Sequence, residues 1–247
     1  MKIYVEAGER MADAIALSEK LNTEVLMGAP DSDELCLCYG ENGLSLCGMG
    51  MSMTGDFTEQ IPRLKKARLQ GEMLVKAVKL KGREKLKILD ATAGMGEDSL
   101  LLAAYGHEVS LYEYDPVISA LLEDTLKRSA EIQALSECVS RMTLHAENSI
   151  EAMKKLKEPP DVVLLDPMFP ERSKSGLIKK KFQLLQKLES PCSDEKELME
   201  AAVLAKPLKI VIKRPAKGPY LAGVKPDYSI LGTAIRYDCI MFPENLK

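Results

Sequence analysis

From Lys85 onward the chain alternates short apolar runs with amphipathic segments, and this alternation restricts the fold more than any other feature. Strands are predicted at Leu86–Asp90, Glu108–Glu113, Ser140–His145, Asp161–Asp166 and Leu208–Lys213. Helices are predicted between them at Asp98–Ala104, Pro116–Leu135, Ser149–Leu156 and Asp194–Ala205. Strands rich in Val, Ile and Leu with no polar alternation must be covered on both faces, which in βαβ order means a parallel sheet between helical layers. Two runs around Gly232-Thr233, Tyr228–Leu231 and Ile235–Phe242, read as a closing hairpin with an antiparallel last strand. The expected class is therefore α/β: a Rossmann-like, mostly parallel sheet.

Residues 1–62 follow a different pattern and read as a small α+β unit, leaving 63–247 to the sheet domain. Lys2–Glu6 is a predicted strand and Arg10–Leu21 an amphipathic helix. Leu35–Tyr39 and Leu44–Cys47 form a hairpin around Glu41-Asn42-Gly43, since Asn-Gly between two apolar runs favours a tight turn. Gly48–Gly55, rich in Gly, Met and Ser, reads as loose chain, and Ile61–Gln70 as a basic connector to a helix at Gly71–Leu80.

Nothing in the sequence resembles a signal peptide or an apolar run of membrane-spanning length, so a cytoplasmic protein is expected. The six cysteines are scattered without paired zinc spacing, and with two histidines no metal site is expected. A net charge of −3 does not advertise nucleic acid, yet the cations cluster: Arg63 to Arg68, Lys174 with Lys179–Lys181, and Lys206 to Lys217. Each cluster suits a solvated face as well as a phosphate track.

Two strand ends carry the chemistry. Asp90-Ala-Thr-Ala-Gly94-Met-Gly96-Glu97-Asp98 lies at a strand-to-helix turn, where glycines allow close backbone approach to a ligand, although a plain tight turn has the same composition. Glu113 ends the next strand 19 residues after Gly94, where an acid accepts hydrogen bonds from ribose hydroxyls. Asp115-Pro116 reads instead as a helix cap and first helical residue. Acids at the helix start favour a cationic ligand over a pyrophosphate, which selects S-adenosylmethionine over a dinucleotide, though Glu97 and Asp98 also suit helix capping. After the third strand, Glu147, Asn148 and Ser149 stand where an adenine edge would come, with a helix N-cap as the alternative role for Asn148 or Ser149.

The second strand end is Val162-Val-Leu-Leu-Asp166-Pro167-Met168-Phe169-Pro170. An acceptor at Asp166, helped by the Pro167 carbonyl, and a ring at Phe169 suit a planar base carrying an exocyclic amine. A Pro-stapled turn whose Phe caps the core would look the same in isolation. The basic stretch Arg172–Lys181 that follows is placed to hold neighbouring phosphates.

Asp90 to Asp98, Asp166 to Pro170 followed by Lys174-Ser175, and Ile212-Lys213-Arg214-Pro215 together resemble the RsmJ family. The resemblance covers about residues 60–247. It implies a class I S-adenosylmethionine-dependent methyltransferase acting on the N2 amine of a guanine in 16S ribosomal RNA, free or in the small ribosomal subunit. By position it implies cofactor contacts from Glu97, Asp98, Glu113, Tyr114, Glu147, Asn148 and Asp166, beside Asp90, Gly94 and Gly96 of the strand-to-helix turn. Asp166, Pro167 and Phe169 are then catalytic, and Lys174, Ser175, Lys179, Lys180, Lys213 and Arg214 contact RNA. The residues alone leave two alternatives: a base amine in DNA or transfer RNA, or a non-catalytic RNA-binding assembly protein that keeps the fold.

Overall fold

The computed structural model describes residues 1–6, 10–30, 34–167, 184, 188 and 194–246. Among these the chain forms two sheets. The first is built from β1 (Ile3–Val5), β2 (Val25–Met27), β3 (Cys36–Gly40), β4 (Gly43–Gly48) and β5 (Met51–Thr54), in the order β2-β1-β3-β4-β5. Helix α1 (Met11–Leu21) makes the crossover from β1 to its parallel neighbour β2. The stretch expected to be loose, Gly48–Gly55, contains β5: Met53 pairs with Leu46 and is buried. Glycine and serine weaken a strand signal, but a ready β4 template supplies the hydrogen bonds that propensity lacks.

The second sheet contains β6 (Lys87–Asp90), β7 (Glu108–Tyr112), β8 (Met142–His145), β9 (Val162–Leu165), β10 (Lys209–Pro215), β11 (Tyr228–Leu231) and β12 (Ile235–Met241). Its order is β11-β12-β10-β9-β6-β7-β8, with β8 through β10 parallel and β12 antiparallel to both neighbours. This is the Rossmann-like, mostly parallel sheet expected from the alternation, with the antiparallel closing hairpin at its edge. Helices α2 (Lys66–Leu69), α3 (Met73–Val78), α4 (Glu97–Tyr105) and α6 (Gln133–Val139) lie on one side, where Val75, Val78, Leu100 and Leu135 join Ile88, Val109 and Val211 in the core. Helices α7 (Ser149–Met153) and α8 (Glu195–Leu204) cover the other, packing Met153, Leu198 and Met199 on Leu89, Val163 and Ile210.

Helix α5 (Pro116–Ala130) joins the two sheets. Val117, Ile118 and Leu121 pack under the first sheet, while Leu122 belongs to the core of the second. Buried Asp124 pins this contact by accepting from Leu44 N at 3.0 Å, Arg128 Nε at 2.7 Å and an Arg10 guanidinium nitrogen at 2.9 Å. The single helix expected over Pro116–Leu135 is broken at Glu131-Ile132 and resumes as α6, because Ile132 turns extended to bury its side chain against the core. No helix among the described residues is long and apolar enough to cross a membrane.

Candidate functional site

Strand order reverses between β6 and β9, so the segments that follow them lead to opposite sides and leave a crevice at their carboxyl ends, the usual ligand position in such sheets. Asp90 closes β6 inside the protein, where it accepts from Ser99 Oγ at 2.6 Å and Thr92 N at 3.2 Å. Thr92 Oγ1 accepts in turn from Asp166 N at 2.7 Å, tying the glycine turn to the tip of β9. Residue signals alone did not reveal Thr92 or Ser99: Thr92 acts through a strand neighbour distant in sequence, and Ser99 through the first turn of α4 folding back on β6.

The glycines do different work. Gly94 has φ of +52° and a Cβ there would meet nothing within 4 Å, so the turn faces open space. Gly96, at φ +75°, is a packing glycine: a Cβ would come 2.8 Å from Leu122 Cδ1. Gly94 N donates to Glu113 Oε2 at 2.9 Å, and Glu113 Oε1 accepts from Asp115 N at 2.8 Å. A carboxylate with one bond on each oxygen still has free lone pairs for two hydroxyl donors. Burial raises this carboxyl above its ordinary range, and the backbone donors oppose the shift. Asp115 caps α5 through Val117 N and Ile118 N, which leaves Glu113 as the acid facing the crevice.

On the opposite wall Lys213 Nζ lies 2.7 Å from Asp98 Oδ2 and 2.8 Å from Asp166 Oδ2. Burial disfavours the ammonium, but the two carboxylates outweigh it and hold Lys213 firmly protonated. Tyr237, buried and paired with Lys213 across β10 and β12, backs this cluster. Arg63 stands behind Asp98, with its guanidinium in a two-pronged bond to Glu72 at 2.6 and 2.7 Å.

Two RNA assignments change. Arg214 has a fully buried side chain that donates to Pro219 O and contacts Glu195, so it does not face a phosphate. Lys213 is committed to two acids within the crevice. Period-two alternation accounts for both, since neighbours on a strand point to opposite faces. Asn148 caps α7 by accepting from Ile150 N and Glu151 N, so its carbonyl oxygen is engaged. Glu147 is exposed near His145, Glu97 meets Gln60 Nε2 at 3.4 Å, and the Tyr114 side chain is 73% exposed. Phe169, Lys174, Ser175, Lys179 and Lys180 lie outside the described residues, whereas Pro167 is buried beside Asp166.

The donor set suits S-adenosylmethionine. Asp98 and Asp166 flank Lys213 on one wall and Glu113 keeps free lone pairs on the other, so the crevice is rich in acceptors, matching a ligand with a sulfonium, an ammonium and ribose hydroxyls. The open space before Gly94 supplies the approach.

A family model described as "Putative SAM-dependent methyltransferase" matches residues 20–242. The ribosomal RNA small subunit methyltransferase J of Pseudomonas fluorescens strain Pf0-1 is 39% identical over 246 residues, covering 96% of this chain and 94% of that one. The chain belongs to this methyltransferase family. The Pseudomonas aeruginosa LESB58 member is 38% identical over 240 residues, covering 94% of this chain and 89% of its own. The crystal structure of an S-adenosylmethionine-dependent methyltransferase from Neisseria gonorrhoeae superposes with a TM-score of 0.77 at 26% identity, covering 100% of this chain and 99% of that one. The family relationship thus takes in the N-terminal sheet as well as residues 60–247.

Within the family site, Asp90 carries a consequence for pH. Burial raises its carboxyl to about 7, against the pull of Ser99 and Thr92. The folded protein keeps the proton up to that pH, while the unfolded chain releases it near the ordinary value. Asp90 therefore contributes stability below about pH 4 that is lost as pH rises through 7, on the order of 4 kcal/mol. Urea unfolding of ligand-free protein should show Asp90→Asn gaining on the wild type between pH 4 and 8. A pH-independent difference between the two would refute the buried neutral acid.

Proposed function

We propose that this chain transfers a methyl group from S-adenosylmethionine to the exocyclic N2 amine of a guanine in 16S ribosomal RNA. The observation that carries the reading is the meeting of Asp166 with the Gly94–Glu113 turn in one crevice, in a chain 39% identical to a small-subunit ribosomal RNA methyltransferase. Gly94, Glu97, Asp98, Glu113, Tyr114, Glu147 and Asn148 would hold the cofactor, with Glu113 on the ribose and Asp90 shaping the turn from beneath. When bound, S-adenosylmethionine supplies a methyl group on a positively charged sulfur.

An aryl amine is a poor nucleophile because its lone pair is delocalised into the ring. Asp166 is engaged by Lys213 through Oδ2, which leaves Oδ1 to accept an amine N–H and turn the lone pair out of the ring plane. Fixing that orientation is worth up to roughly 7–11 kcal/mol in ideal cases. The Pro167 carbonyl is a second acceptor, and Phe169 is assigned from sequence to stack on the base. The proton lost on methylation passes to water or Asp166. An RNA substrate agrees with a cytoplasmic enzyme, and the packing of α5 on both sheets supports reading residues 1–62 as a platform beside the 63–247 domain.

The test is incubation with radiolabelled S-adenosylmethionine and small subunits, naked rRNA, transfer RNA or DNA from cells lacking the gene. Label should enter 16S rRNA, and nuclease digestion with mass spectrometry should return N2-methylguanosine. Label at another base position would refute the guanine N2 assignment, and label in DNA or transfer RNA alone would replace the substrate.

A further inference from the structure

Arg214 sits beside the reaction centre without entering it. Ile212 pairs with Leu165 in the parallel register of β10 and β9. Continued by two residues, that register sets Lys213 level with Asp166, as their 2.8 Å contact bears out, and Arg214 level with Pro167. Alternation sends the Arg214 side chain to the face opposite Lys213, towards α8, where its Nη1 lies 3.3 Å from Glu195 Oε1. Its Nε donates to Pro219 O at 2.8 Å, and none of the side chain is exposed. Arg236, its register partner on β12, is engaged by Asp238 and by the carbonyls of Pro215, Ala216 and Gly218. The Arg214 guanidinium is thus a cation fixed in place and sealed from solvent. Taking such a group out of water is expensive, and an apolar pair of the same shape commonly stabilises a fold as well or better. Stability alone does not call for an arginine here; its position does.

The charges around it show why. Among the described residues, Asp166 is surrounded by Asp90 at the end of β6, Asp98 on α4, Lys213 and Arg214 on β10, and Tyr237 on β12. Arg63, held by Glu72, faces Asp98 and Tyr237. Asp98 and Asp166 share Lys213, so one ammonium is divided between two acids. Burial lifts the Asp166 carboxyl and Lys213 draws it down; Asp98 then lifts it again, and Arg214 adds a second downward pull from behind. Glu195, Arg236 and Asp238 face Arg214 itself, and of these Arg236 and Asp238 form an ion pair of their own.

We propose that Arg214 is a positioning residue of the methyl-transfer site: a cation fixed behind the tip of β9 that acts through Asp166, joining Lys213 in keeping its carboxylate ionised and able to accept the amine. The inference rests on the reading of Asp166 as the amine acceptor. Arg214 touches neither substrate nor cofactor. Glu195 acts one step further back, by offsetting part of the Arg214 charge.

The test follows the Asp166 carboxyl directly, by carbon-13 NMR of the full chain labelled at its aspartate carboxyls, with the resonance identified by its loss in Asp166→Asn. Arg214→Met/Glu195→Gln removes both charges and leaves neither buried alone. Its Asp166 titration midpoint should rise by about 0.5 or more, a fraction of what an opposite charge in contact produces. Glu195→Gln alone takes away the acid that offsets Arg214, so the midpoint should fall by about 0.3 or more. Arg214→Lys keeps a cation and should stay within about 0.3 of wild type. Single-turnover methylation of transcribed 16S rRNA should follow the same order. The acidic limb of the pH–rate profile moves up in the double variant, down in Glu195→Gln and little in Arg214→Lys, while the plateau rate above the limb stays within about threefold.

A midpoint unmoved in both the double variant and Glu195→Gln overturns the proposal and leaves Arg214 an ordinary buried ion pair. So does a plateau rate that collapses at every pH with the limb in place, which is what a structural loss produces. Should the double variant not fold, Glu195→Gln decides, since it keeps the guanidinium and its bond to Pro219. The functional reading fails separately, if the wild type methylates no RNA or Asp166→Ala remains active. The NMR titration then still decides whether Arg214 acts on Asp166.

Discussion

Asp166→Ala lowers kcat for methyl transfer by about a thousandfold or more, which corresponds to roughly 4 kcal/mol of transition-state stabilisation. Cofactor affinity should fall only modestly, by less than about fivefold, because the glycine turn is fixed by Glu113 and Thr92 rather than by the Asp166 carboxylate. The Asp166 backbone N–H, which reaches Thr92 Oγ1, survives the substitution, so the crevice keeps its shape. Asp166→Asn should be nearly as inactive as the alanine variant. The amide has one oxygen, and Lys213 Nζ at 2.8 Å claims the position where an acceptor is required. The remaining position then becomes an NH2 donor facing an amine donor. Single-turnover kinetics with saturating cofactor would read both variants. If Asp166→Ala retained substantial activity, the acceptor role would fall. If Asp166→Asn behaved like wild type, the orientation imposed by Lys213 would fall instead.

The sheet was legible because its signal is local. Runs such as Val162–Leu165 and Ile210–Ile212 are apolar at every position, which only a strand buried on both faces tolerates. The glycine turn and Glu113 were legible for the same reason, as each is a short pattern at the end of such a run. Three features were not. Strand β5 depends on a partner strand rather than on its own composition, and the Glu131-Ile132 break depends on where the core can accept Ile132. Strand β2 is three residues long and exists because α1 returns the chain alongside β1. The site showed the same division. A count of basic residues grouped Lys213 with Arg214, whereas in the fold one enters the crevice and the other is sealed behind it.

Lys213→Met should lower kcat by about 10- to 100-fold and move the acidic limb of the pH–rate profile to higher pH. The direction follows from the charges around it. Burial lifts the Asp166 carboxyl, Lys213 pulls it down, and Asp98 lifts it again. Without the ammonium, two carboxylates share the wall with no cation between them, and Asp166 holds a proton to higher pH. A protonated Asp166 is occupied by its own hydrogen and accepts the amine N–H poorly, so activity appears only once that proton is lost. Lys213→Arg restores a fixed cation and should return the limb towards the wild-type position, even where kcat is only partly recovered. The double variant Asp166→Asn/Lys213→Met separates charge from orientation. With Lys213 gone, the asparagine oxygen is free to turn to the amine, so the pair should be more active than Asp166→Asn alone. Such recovery is non-additive, as expected for groups in direct contact at 2.8 Å. If instead the two losses simply multiplied and the pH profile of Lys213→Met matched wild type, Lys213 would be a structural ion pair that does not position the acceptor.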